Sequence, residues 1–272
     1  MERLKRFAPY VVLALGAVIM AFPFVWMILS SLKTAAEVNT TPPTFWPKQL
    51  MFENYAYAFA AAPFLTYFKN SVIVMVLSVG STMVTTIFAA FAFSRLKFPG
   101  RDLLFSLTVA LMMVPFEMLI ITNYSTMVRL RLMDTLTALF LPFTTSIFYT
   151  YILRNFFLAI PDSLYYSARV DGANNWRYLW RIMVPMAKPA LATIGLLNAI
   201  ASWNSFLWPL IATNSTARRT LPFGLYAFMT TAGIRYERLM AAATIVVLPM
   251  ILIFVFFRRY IVAGVSRGGL KG

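Results

Sequence analysis

Long apolar runs alternate along the chain with short polar segments that hold nearly all of its charge. Residues 7–32, 70–94, 135–153, 189–217 and 239–257 contain no Asp, Glu, Lys or Arg, and a sixth run, 103–128, contains one acid, Glu117. Each approaches or exceeds the roughly 20 residues that a helix needs to cross a hydrocarbon layer about 30 Å thick. None alternates apolar and polar residues over about 10 positions, as the strands of an outer-membrane barrel do. The pattern therefore predicts an all-α integral membrane protein with six transmembrane helices, at 8–32, 71–94, 103–124, 136–157, 190–211 and 240–258. Prolines at 42, 43 and 47 forbid a long helix before Phe52 in the first connecting segment. With no tandem repeat or soluble linker, residues 1–272 are expected to form a single membrane domain.

Composition sharpens this picture. The 272 residues are 60% hydrophobic and 12% charged, where a soluble domain would be about half apolar and about a quarter charged. The net charge of +15 sits at helix ends, which suits membrane topology and speaks against a nucleic-acid partner. Six spans put the termini and the loops around Arg95 and Arg169 on one side, with 15 basic residues against 9 on the other. The positive-inside rule then places both termini in the cytoplasm. The first apolar run is too long for a signal-peptide core and no small-residue cleavage site follows it, so it is expected to remain as an anchor. The chain has no His and no Cys, which excludes thiolate and imidazole catalysis; no metal site is expected, and paired carboxylates for intramembrane acid–base work are lacking.

One cytoplasmic segment, 161–188, breaks the apolar monotony. It takes up most of YSARVDGANNWRYLWRIMVPMAKPA, which runs from Tyr166 to Ala190. Asp171-Gly172 is a chain-reversal signal, because glycine tolerates the left-handed conformation that ends a helix and Asn174 or Asn175 can cap the next. Trp176, Leu179, Trp180 and Met183 follow at helical spacing as one apolar stripe beside Arg177 and Arg181. Two readings stand on these grounds alone: a basic interfacial helix resting on anionic lipid, or a docking element for a cytoplasmic partner.

ARVDGA at 168–173, VP at 184–185 and KPAL at 188–191 resemble the cytoplasmic loop motif of ABC importer permeases. PP at 42–43, ENYAYAF at 53–59, NS at 70–71, FAFSRLKFPGR at 91–101, ASWNSFLWPL at 201–210 and GLKG at 269–272 extend the likeness to binding-protein-dependent sugar permeases of the maltose-transporter G-subunit type. The resemblance implies a type I ABC importer permease fold that forms half of a carbohydrate pathway. It also implies a homologous second permease, two ATPase subunits and an extracytoplasmic solute-binding protein, all on a lipid bilayer. Tyr166, Ser167, Ala168, Arg169, Asp171, Gly172 and Ala173 would form the ATPase-coupling loop. In this reading small Ala168 suits packing into a cleft on the ATPase, and Arg169 and Asp171 fix the loop by ion pairing. Tyr166-Ser167 stand where the family usually has Glu-Ala, so the usual acidic contact is replaced or lost. No phosphate-cradling G-x-x-x-x-G-K-[ST] occurs, so the chain is expected to be non-catalytic and to hold no cofactor, with ATP and Mg bound by the ATPase.

Inside the membrane, an ionised Glu117 would cost about 2.5 to 3.5 kcal/mol or more facing lipid, so it should face a cavity or a partner helix. Asn198, Trp203, Asn204 and Trp208 offer the amides and aromatic faces that bind sugars, although small polar residues at this spacing also serve helix packing. Phe223, Tyr226 and Phe228 fall in the outer segment between the last two spans, where they could dock the solute-binding protein. Glycerol-phosphate-type cargo is an alternative within the same family. An ion-coupled secondary transporter is a more distant one, with Glu117 its only titratable mid-span group.

Overall fold

In the computed structural model, residues 2–230 and 233–268 are described, with side chains described for 9–226, 228 and 235–255. Fourteen α-helical segments, with short 3-10 and π turns between some of them, account for most of it. They are α1 (Glu2–Ser31), α2 (Ala35–Val38), α3 (Glu53–Ala61), α4 (Phe64–Arg95), α5 (Arg101–Ala110), α6 (Phe116–Arg129) and α7 (Leu136–Phe140), then α8 (Ile147–Leu158), α9 (Asp162–Val170), α10 (Asn175–Tyr178), α11 (Val184–Met186), α12 (Lys188–Trp203), α13 (Leu207–Ala212) and α14 (Tyr236–Gly268). A two-residue antiparallel ladder, Met229–Thr230 with Gly233–Ile234, is the only sheet among the described residues. The protein is all-α.

Three helices are long and apolar enough to cross a membrane, and the count rises to six if each of three bent pairs is one span. Pro9–Ser31, Phe64–Arg95 and Tyr236–Val255 are continuous apolar helices. The other three are bent pairs: Arg101–Met113 with Phe116–Arg129 at 99°, Leu136–Phe143 with Ile147–Leu158 at 47°, and Asn175–Met186 with Lys188–Trp203 at 77°. Proline explains much of the breakage. Val114, ahead of Pro115, is extended with ψ 112°, because a residue before proline is driven out of the α region. Pro142 interrupts the fourth span, and Pro189 opens α12 at its first turn. The ring of Pro209 in α13 would meet the carbonyl four residues back, so the chain leaves the helix at 204–206.

The chain divides into two compact units, residues 1–65 with 221–251 and residues 66–220 with 252–272. In the first, Asn54 donates from Nδ2 to the carbonyls of Ser31 and Lys33, both at 2.9 Å, which ties α3 to the end of α1. The Lys33 ammonium is buried beneath Trp26, 4.6 Å from the ring centroid, and donates to the Thr44 carbonyl. Phe64 packs on Phe228, and Gly224 approaches Phe64 so closely that a Cβ would come within 2.6 Å of its ring. In the second unit, Ile87, Ala90, Leu153, Phe157, Tyr178, Leu179, Met183 and Ile194 form a buried core that joins α4, α8, α10 and α12.

Candidate translocation and coupling sites

Breaking a helix in an apolar setting frees backbone carbonyls that need donors. In the fourth span α4 supplies them: Thr82 Oγ1 donates to the Phe143 carbonyl at 2.7 Å and Thr85 Oγ1 to that of Thr144 at 2.6 Å. On the far side of the break, Ser146 caps α8 by accepting from the Tyr149 N–H. Beside this break the α12–α13 interruption presents Ser202 and Ser205. Between them lies a cavity of about 230 Å³ whose walls include Ser78, Thr145, Ser146, Tyr149, Asn198, Ser202 and Ser205, with no charged side chain. Ser78 donates to Asn198 Oδ1 at 3.3 Å, and both side chains are buried.

Of the residues expected to line the route, only Asn198 reaches this cavity. Trp203 is buried edge-on against Phe68, with centroids 5.8 Å apart. Trp208 is buried too; its Nε1–H donates to the Ala138 carbonyl at 2.9 Å, and Phe116 packs edge-on against it at 6.3 Å. Both tryptophans hold helices together with the faces that sugar stacking would require. Asn204 is exposed at the break. Glu117 is exposed in the first turn of α6, at the 99° bend, where the positive end of the helix dipole favours its negative charge. Serine and threonine around the fourth-span break were not singled out from sequence. The signal was present as Leu141-Pro142-Phe143-Thr144-Thr145-Ser146, a proline followed by three hydroxyls in mid-span.

The 161–188 segment folds as a helix, a turn and a second helix. α9 ends in a Schellman turn: Ala173 N–H donates to the Ala168 carbonyl at 2.8 Å and Gly172 N–H to that of Arg169 at 3.1 Å, with Gly172 at φ +74°. Asn174 then caps α10, accepting from the Arg177 N–H at 2.8 Å. Arg95, at the end of α4, is buried and fixes the approach to α9. It pairs with Asp162 and donates to the carbonyls of Phe157 and Ile160.

Two expectations for this loop change. Ala168 and Ala173 are buried against the chain's own core, so the small side chains seat α9 on its own protein instead of entering a foreign cleft. Arg169 donates to the Ala173 carbonyl at 3.4 Å, and no Arg169–Asp171 ion pair occurs among the described residues. What α9 shows outward is an apolar pair one turn apart, Tyr166 at 61% exposure and Val170 at 88%. Ser167, Asp171 and Gly172 are exposed as well. The second helix also departs from the single stripe. A π-turn over Leu179–Met183 buries Leu179 and Met183 and leaves Trp176 and Trp180 outside.

Between the 213–219 segment and α14, Phe223 and Phe228 are buried within the first unit, and Tyr226, packed on Phe223 with centroids 5.5 Å apart, is exposed. The terminal residues 269–272 lie outside the described residues.

Discontinuous spans around a cavity that sets hydroxyl and amide groups among apolar walls of Val74, Leu139, Phe143, Ala201 and Pro209, joined to a capped helix–turn–helix loop, define a polytopic membrane transporter subunit. Residues 82–267 match the model of the binding-protein-dependent transport system inner membrane component, and the chain belongs to that family. It is 34% identical over 94% of its length to the arabinooligosaccharides transport system permease protein AraQ of Halalkalibacterium halodurans, covering 93% of that relative. It is 29% identical to the sn-glycerol-3-phosphate transport system permease protein UgpE of Yersinia pestis, over 94% of both chains. Its fold is similar to that of a chain in a bacterial ABC transporter involved in the import of the acidic polysaccharide alginate, with TM-score 0.82, 24% identity and coverage of 95% and 97%. The protein is therefore an ABC importer permease, embedded in the membrane by several apolar helices.

Proposed function

We propose that this chain is the non-catalytic permease half of an ATP-driven importer for neutral oligosaccharides, which a solute-binding protein delivers from outside. The observation that carries the reading is the chemistry of the cavity at the broken spans. Hydroxyls of Ser78, Ser146, Tyr149, Ser202 and Ser205, with the Asn198 amide, match the alternating donors and acceptors of a sugar. No Lys or Arg lines it to balance a phosphate or carboxylate, which favours uncharged sugar over glycerol-phosphate cargo. The relatives named for arabinooligosaccharide transport agree with this choice.

The loop supplies the coupling. α9, seated on its own core by Ala168 and Ala173, offers Tyr166 and Val170 to a cleft on a cytoplasmic ATPase that binds ATP and Mg. The exposed Tyr166 stands where the family's usual acid would be and makes an apolar contact in its place. Tyr226 is the outer-side residue placed to meet the binding protein, with Phe223 and Phe228 bracing it from within. Glu117 and Asn204 are exposed at breaks where a homologous second permease would complete the pathway.

The test is uptake by cells in which this importer is the sole route. Neutral arabino- or chito-oligosaccharides should enter and glycerol 3-phosphate should not. Asn198→Ala should lower uptake up to about tenfold, the scale of one lost hydrogen bond. Uptake of glycerol 3-phosphate without oligosaccharide uptake would refute the assignment of cargo.

A further inference from the structure

The second helix of the loop carries a surface that the coupling role does not use. Asn175–Met186 meets α12 at 77°. With α12 as the crossing segment, Asn175–Met186, turned this far from it, runs close to the plane of the bilayer instead of forming part of the span. Its buried row, Tyr178, Leu179 and Met183, holds it to the core. An aromatic row stands outside that core: Trp176 is 62% exposed and Trp180 36%. Both meet Phe88 of α4, Trp176 stacked at 5.9 Å and 21°, Trp180 edge-on at 6.2 Å. Phe88 lies seven residues before Arg95, the last residue of α4, which is about 10 Å along the helix from its end. That is the depth of a headgroup boundary, where tryptophan concentrates.

A cationic row, Arg177 and Arg181, adjoins the aromatic one, one position on at each turn, and both arginines are exposed. Neither has an acidic partner among the described residues, and the sequence holds no Asp or Glu between Asp171 and Glu237. In-plane orientation, tryptophan at headgroup depth and unbalanced guanidinium groups in register beside it together match one kind of partner. We propose that this helix is a binding surface for anionic phospholipid in the cytoplasmic leaflet, with Trp176 and Trp180 at the acyl boundary and Arg177 and Arg181 on headgroup phosphates.

The experiment uses the transporter as isolated through this chain, placed in bilayers of phosphatidylcholine with a minor fraction of phosphatidylglycerol. One lipid at a time is brominated so that it quenches tryptophan fluorescence. The contribution of Trp176 and Trp180 is the difference between the native chain and Trp176→Phe/Trp180→Phe. At equal mole fraction, brominated phosphatidylglycerol should quench that contribution several-fold more than brominated phosphatidylcholine, following an enrichment of up to about fivefold per arginine. Arg177→Gln/Arg181→Gln should abolish the excess, and Arg177→Lys/Arg181→Lys should keep most of it. Equal quenching by the two lipids would overturn headgroup selection. Absence of quenching by either would show that a protein subunit covers this face, and loss of the excess in the lysine variant would show that charge is not its cause.

Discussion

Gly172 concentrates the local requirements of the loop in one residue. Its φ of +74° and its N–H bond to the Arg169 carbonyl together exclude proline, which fixes φ near −65° and has no N–H. Gly172→Pro should therefore abolish substrate-stimulated ATP hydrolysis while assembly persists, because the contacts seating α9, from Ala168 and Tyr165, lie outside the turn. Gly172→Ala should cost only about 1–2 kcal/mol, the left-handed penalty, and keep partial stimulation; an ATPase assay on both variants checks the order. A second residue-scale test concerns Trp208. Trp208→Phe keeps most of the ring but leaves the buried Ala138 carbonyl without its donor, a loss of about 1–3 kcal/mol. Thermal melting in detergent should fall accordingly. Unchanged melting with impaired uptake would return Trp208 to the substrate path. The glycine turn was legible in the sequence because its signals are local, a glycine after a helical run and an asparagine cap. The burial of Trp203 and Trp208 was not, because amphipathic aromatics look alike whether they pack or bind; only tertiary neighbours such as Phe68 and Ala138 separate the two.

At the scale of elements, legibility depends on how long a feature lasts. Spans of some 20 apolar residues are read reliably. An interruption of two or three residues, as at Val114-Pro115, Thr144–Ser146 or Asn204–Phe206, hardly changes the average and shows only as an isolated proline beside polar residues. The same limit hides the π-turn that divides Leu179 and Met183 from Trp176 and Trp180, since a regular period of 3.6 puts all four on one face. Element contacts also yield a pH effect. Asp134, in the link before α7, accepts from the N–H groups of Asn214 and Ser215 and from the Ser215 hydroxyl, and its own N–H donates to the Ala212 carbonyl at 2.9 Å. The Ser215 N–H foremost, then those of Asn214 and the Ser215 hydroxyl, hold its pKa below the ordinary carboxylate value. A lowered native pKa means that the clip stabilises fully above the unfolded value of about 3.9 and loses its effect as pH falls through the native one. Asp134→Asn should lower the melting temperature at neutral pH and flatten the acid limb of its pH profile. Tyr166→Asp/Val170→Asp tests the outward face of α9: stimulated ATP hydrolysis should drop at least tenfold with melting unchanged, since both side chains are exposed.

For the molecule as a whole, every functional assignment depends on which residues face which compartment. The charge asymmetry and six spans together predict one arrangement, with α9 in the cytoplasm and the 213–219 segment outside. The chain contains no cysteine, so single thiols can be introduced without removing any. Ser163, exposed on α9, and Thr216, exposed beyond α13, are separated by α12, one membrane span. In right-side-out vesicles a membrane-impermeant maleimide should label Thr216→Cys and leave Ser163→Cys unmodified, and in inverted vesicles the pattern should reverse. Ser163 lies on α9 beside the exposed Tyr166–Val170 face, so its labelling from outside would remove the proposed coupling role and the proposed inner-leaflet lipid surface together. Labelling of both sites from one side would instead mean that one of the bent pairs, α10–α11 with α12, does not cross the bilayer. The 77° bend at Ala187-Lys188 makes that a real alternative for this span: it crosses only if the 16 residues of α12, about 24 Å long at 1.5 Å per residue, are extended to the far side by α13. Thr216 lies just past α13, so its labelling decides between a crossing and a re-entrant fifth span.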